Sequence, residues 1–139
     1  MPTFAEALIH DLLMARVASF TNTPALPIAY PNVDFTPPAS GDWLEVAYLP
    51  NTNVDLYLAN DDETLHRGLM QITLVSARGR GGSAPLDLAG KIAGHFAKGT
   101  TLYGASFKVR VPDKPSVSAS LQDPPYLRTP VTVRWQAFV

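Results

Sequence analysis

Strand-like alternation and helical spacing follow one another here in a fixed order, and that order constrains the fold more than any motif. "WLEVAYLPN" (43–51) sets Trp43, Glu45, Ala47 and Leu49 against Leu44, Val46 and Tyr48, the period of two that marks a strand. Both sides carry apolar residues, so a strand covered on each face is expected. "LMQITLVSA" (69–77) reads the same way, with Met70, Ile72 and Leu74 on one side. "TLYGASFKVRVPD" (101–113) and "RTPVTVRWQAFV" (128–139) are further strands, the latter alternating Val131, Val133, Trp135 and Ala137 with Thr132, Arg134, Gln136 and Phe138. Residues 54–68 predict a strand, a polar turn around Asn60–Glu63 and a return, and residues 28–42 an edge segment with a proline-rich surface loop. "KPSVSASLQDPPYL" is a turn-rich connection with some extended character.

Two helices interrupt this series. Thr3 and Glu6 form a capping-box pattern, in which each side chain satisfies a free amide of the first turn. Phe4, Leu8, Leu12 and Ala15 then recur at helical spacing beside Ala5, Ile9 and Leu13, predicting a helix over about 3–19 that stops before Asn22, Pro24 and Pro27. For the second helix the pattern predicts Ser83 as cap, Pro85 and Asp87 in the first turn, and a buried stripe of Ala89, Ile92, Ala93 and Phe96. Lys98 complements its last turn and Gly99 stops it. Helix, strands, helix, strands without regular βαβ alternation specifies an α+β fold: a mostly antiparallel sheet with two helices packed on it.

The length of 139 residues fits one domain, 1–139, with a substantial core. At 46% hydrophobic and 17% charged residues the chain is globular in type. Eleven Lys+Arg against twelve Asp+Glu leave a net charge of −1, without the basic footprint of a dedicated nucleic-acid binder. The absence of cysteine excludes disulfides, thiolate ligands and cysteine nucleophiles. Glu6, His10 and Asp11 interrupt the first apolar stretch, which is therefore neither signal peptide nor membrane span.

"VSARGRGGSAPLDLAGKIAGHF" (75–96) runs from strand through glycine-rich loop to helix, the order in which phosphate sites are built. A P-loop requires G-x-x-x-x-G-K-[ST], yet Gly82 is followed by Ser83 and Ala84 and the next lysine is Lys91. Gly79, Gly81 and Ala84 satisfy the loose G-x-G-x-x-[GA] form, but no acidic residue for a ribose occurs between Gly90 and Val111. The loop is thus a connection. Arg78 and Arg80 read first as solvated loop charges and next as contacts to a protein partner, and two arginines supply little of the affinity that DNA binding needs. His10, His66 and His95 show no metal-binding spacing, although His10 and His95 lie on helices expected to share one sheet. "NDDET" (60–64) lacks the calcium-loop frame, and there is no G-x-S-x-G elbow. Trp43, Trp135, Phe96 and Tyr48 fall in core stripes rather than on a stacking platform. No catalytic, metal or cofactor residue is assigned.

Four segments in order carry a resemblance to a known family: "PIAYPNVDFTPP", "WLEVAYLPN", "RGLMQITLVSARGRGGSAPLDLAGKIAGHFAKGTTL" and "KVRVPDKPS…VTVRW". Together they resemble the small phage proteins of the lambda-type tail-terminator group. The resemblance covers nearly the whole chain and rests on no single diagnostic motif. It implies a virion-tail protein, assembled in the host cytoplasm, that is not an enzyme and needs no cofactor. It further implies a hexameric ring that ends tail-tube growth and offers a surface to head-completion or neck proteins, without sequence-specific nucleic-acid binding or a membrane. The loop Arg78, Gly79, Arg80, Gly81 and Gly82 matches the family's variable loop and is the candidate partner contact. A near-neutral chain suits a channel through which DNA passes without being gripped. A monomeric ligand- or peptide-binding domain is the alternative from another class.

Overall fold

The computed structural model describes residues 3–56 and 63–139. Asn60, Asp61 and Asp62, on which the expected polar turn and most of the acidic run fall, lie outside the described residues. In chain order the elements are α1 (Ala5–Ala18), β1 (Ile28–Ala29), β2 (Trp43–Pro50), β3 (Val54–Asp55), β4 (Thr64–Ala77), α2 (Ser83–His95), β5 (Thr101–Tyr103), β6 (Lys108–Arg110), β7 (Ser116–Val117), β8 (Leu121–Asp123) and β9 (Tyr126–Phe138).

One sheet runs β1-β2-β4-β9-β6-β5, with β3 paired to β4 and with β7 and β8 paired to β9. Its spine is the antiparallel β4–β9 ladder, from Leu65 opposite Phe138 to Ala77 opposite Tyr126. The fold is α+β as the order of periods requires. The sheet is mixed rather than strictly antiparallel, because β1 runs parallel to β2. The segment 101–113 is a hairpin rather than one strand. It turns back at Gly104–Phe107, where a Cβ on Gly104 would stand 3.1 Å from the Phe107 ring.

Register decides which residues meet. Leu44 faces Leu74 and Val46 faces Ile72 across β2–β4, while Ile72 faces Val131 and Met70 faces Val133 across β4–β9. These side chains share one face and are buried under both helices. α1 contributes Ile9, Leu13 and Val17, one residue per turn, and α2 contributes Pro85, Ala89, Ile92 and Ala93, with Phe96 just beyond. Gly68 lies opposite Trp135, whose ring occupies the space a side chain would need and stacks on Tyr48 at 5.5 Å. Burial and then the charge of Glu6 push the Tyr48 hydroxyl up to about 12.

The helix ends differ from the sequence reading. α1 begins at Ala5 behind Phe4, without a side-chain cap, so the Thr3/Glu6 capping box does not form. It buries Ile9, Leu13 and Val17, leaving Phe4 and Ala15 exposed. It stops at Ala18, where the Ser19 hydroxyl donates to the Arg16 carbonyl at 2.7 Å, before the prolines can act. Gly82, not Ser83, occupies the cap position of α2, so Asp87 falls beyond the first turn and faces Lys91 at 3.9 Å. His95 rather than Lys98 lies in the last turn, and Gly99 serves a later turn with φ +90°.

Candidate functional site

The glycine-rich loop joins β4 to α2. Gly79 and Gly81 hold φ of +89° and +79°, a region that disfavours side chains, while space around both is open. The positive φ of the turning backbone is what calls for glycine at both positions. Arg80 donates from Nη2 to Asp42 Oδ1 at 2.7 Å, which ties the loop to the segment entering β2. The Arg78 amide donates to the Pro125 carbonyl, and its guanidinium is in no ion pair among the described residues. Beside the loop lies an open cleft of about 550 Å³, lined among others by Arg78, Leu86, Ser120, Gln122 and Leu127. Leu86 at its wall and nearby Leu121 are exposed. Backbone amides, one guanidinium and exposed leucines suit contact with another protein surface. They place no nucleophile beside a base.

The histidines do not converge. His10 Nδ1 lies 3.0 Å from Asp11, and its ring meets Tyr48 edge-on at 5.1 Å. His95 forms a clasp between the two helix ends: its Nε2–H donates to the Arg16 carbonyl at 2.8 Å, and the Arg16 guanidinium donates back to the His95 carbonyl at 2.8 and 3.1 Å. Burial lowers the His95 pKa; the hydrogen bond to the Arg16 carbonyl pulls it back up in part, and the Arg16 charge adds a smaller downward push. His66 is buried on β4. Among the described residues no group of three His, Cys, Asp or Glu could hold a metal. None of their helices is long and apolar enough to cross a membrane.

The second candidate surface escaped the reading of segments. β2 is covered on one side only. Its other side is closed at one end, where Trp43 packs against Tyr126 at 4.9 Å and Arg128 bridges Glu45 and Asp123 at 2.6 and 2.7 Å. Further along, this sheet face is open, and Leu49, Leu69 and Phe138 are each more than a third exposed. Register brings cations among them: Arg67 and Arg110 both pair with Gln136, and Leu69 pairs with Arg134. All three arginines are exposed, and none is in an ion pair among the described residues. The alternation of each strand was legible, but the cluster joins residues far apart in sequence and exists only once the register is known.

Against this geometry stand the comparisons with known proteins. The family model described as phage tail terminator protein matches residues 8–135. No curated protein matches. One solved structure superposes with a TM-score of 0.81 at 24% sequence identity, covering 97% of this chain and 96% of that one. At that identity the likeness speaks to the fold alone.

Proposed function

From the premise that the chain belongs to the phage tail terminator protein family, we propose that it caps the tail tube as a ring. It is a structural component of a phage tail. The ring, a hexamer as the family resemblance implies, covers the surface on which the next tube subunit would add, and its outer side receives a head-completion or neck protein. The reading is non-enzymatic: binding to the tube end is the whole of the mechanism, and the full length 1–139 acts as one unit. The family match across residues 8–135 is the observation that carries it.

The surface chemistry supports the same reading. A ring closes through heterologous contacts, one patch meeting a different patch on the next copy. The chain offers more than one candidate surface, the cleft beside Arg78–Gly82 and the uncovered sheet face among them. We assign the loop to the tube or a neighbouring subunit. Its Arg80–Asp42 pair presents it in a defined position, while Arg78 remains available for a partner's acceptor. Replacing Arg78 and Arg80 with alanine and scoring head joining of assembled tails tests that assignment. Loss of joined particles with an unchanged fold is expected, and normal joining would remove the loop from the contact.

A further inference from the structure

Only one side of α1 is buried, yet its opposite side also carries apolar residues. Ile9, Leu13 and Val17 face the core, while Phe4, Ala7 and Ala15 are exposed on the opposite side, Phe4 at 77%. The exposed side also bears a charge of one sign: Asp11 is exposed there, and α1 has no Lys or Arg before Arg16. The uncovered sheet face is the converse, with apolar Leu49 and Leu69 set among the exposed Arg67, Arg110 and Arg134. An apolar helix side centred on an acid and an apolar sheet face edged by cations are complementary in shape class and in charge.

We propose that the outward side of α1 in one copy packs on the uncovered sheet face of the next copy, with Asp11 among Arg67, Arg110 and Arg134. This rests on the ring reading above and assigns its subunit contact. The two patches differ, so the contact is heterologous and propagates around a ring, as a two-fold contact would not. Leucines on the sheet face favour protein over polynucleotide, because phosphate contact gains nothing from apolar neighbours. The area is small. A helix of 14 residues is about 21 Å long and about 10 Å wide. Its footprint is thus roughly 200 Å², well below the roughly 800 Å² per partner of a standard stable interface. The contact therefore forms where copies are already held side by side, on the tube end.

The chain contains no cysteine, which permits a direct test on the full-length protein. Copies carrying Ala7→Cys are mixed with copies carrying Ala47→Cys, an exposed position on the open face. The mixture is added to purified tail tubes and treated with a short bismaleimide, and the same samples are imaged by electron microscopy. The expected result is a cross-linked dimer in the mixture and none with either variant alone. Adding Asp11→Arg to the Ala7→Cys copy should bring the yield to background, and Arg134→Asp in the other copy should restore it. Rings on tubes without cross-links would overturn this contact while leaving the capping function standing. Self-linking of the Ala7→Cys variant would replace it with a two-fold contact. Absence of rings would remove both readings. If reversal of Arg67 and Arg134 left rings and cross-links intact but reduced retention of duplex DNA, the face would be a nucleic-acid surface and the proposal wrong.

Discussion

Gly68→Ala places one methyl group where the fold has no room for it. An added Cβ would lie 2.7 Å from the Leu49 carbonyl oxygen, 2.7 Å from Trp135 Cζ2 and 2.8 Å from Pro50 Cα, whereas ordinary contact begins near 3.4 Å. Two of those atoms are β2 backbone, held to β4 by a ladder from Trp43 to Pro50, and the third belongs to a buried ring stacked on Tyr48. Overpacking of this kind costs about 1–3 kcal/mol. The lower chain entropy of alanine in the unfolded state offsets about 0.5–1 kcal/mol of that. At the middle of both ranges the net loss is about 1 kcal/mol, or a fall in Tm of about 3–5 °C for a chain of this size. Thermal unfolding followed by tryptophan fluorescence reads it directly, since Trp135 sits at the perturbed site. Gly90→Ala is the matched control: it lies within α2 with nothing inside 4 Å of the new methyl. It should raise stability by about 1 kcal/mol through helix propensity alone. Shifts of the same sign in both variants, or an unchanged Tm for Gly68→Ala, would refute the packing argument.

The remaining predictions concern the core, the helix clasp and a tyrosine. Leu13→Ala, fully buried on α1, should cost about 2–5 kcal/mol in urea unfolding with an unchanged slope. Burial above all lowers the His95 pKa in the fold. The unfolded chain therefore takes up its proton more readily, and the clasp's stability is present above the ordinary histidine range and lost as pH falls through it. The Tm should accordingly fall less between pH 8 and pH 5 for His95→Gln than for the parent, and equal falls would exclude His95 as the cause. Tyr48, pushed up to about 12, has the opposite direction in pH. Its contribution is intact below the ordinary tyrosine value and is lost as pH rises toward 12, so Tyr48→Phe should blunt alkaline destabilisation.

Periodicity exposed the elements better than their limits. The alternation of Met70, Ile72 and Leu74 and of Val131 through Ala137 located the sheet spine, because one side of each strand is apolar and faces the helices. β4 nevertheless begins at Thr64, earlier than the alternation from Leu69 indicates, since His66 and Gly68 continue the buried side without looking apolar. On α1, Phe4 and Ala15 fit helical spacing as well as Ile9 and Leu13 do, because apolar residues recur on more than one side of the helix. The caps went astray for a related reason: Ser83 has the chemistry of a cap, but the turn set by Gly79 and Gly81 starts the helix one residue earlier in geometry, at Gly82. The candidate loop was visible as a glycine cluster with two arginines. That Arg80 is committed to Asp42, thirty-eight residues away, was not, and neither was the gathering of Arg67, Arg110 and Arg134. Both depend on tertiary neighbours that local composition does not encode.

The capping account meets its most direct test in electron microscopy of growing tail tubes supplied with fresh tube subunit, with and without the purified protein. The account predicts a ring at one tube end and lengths that stop increasing once it is bound. Tubes that bear no added density and lengthen equally in both samples would contradict it.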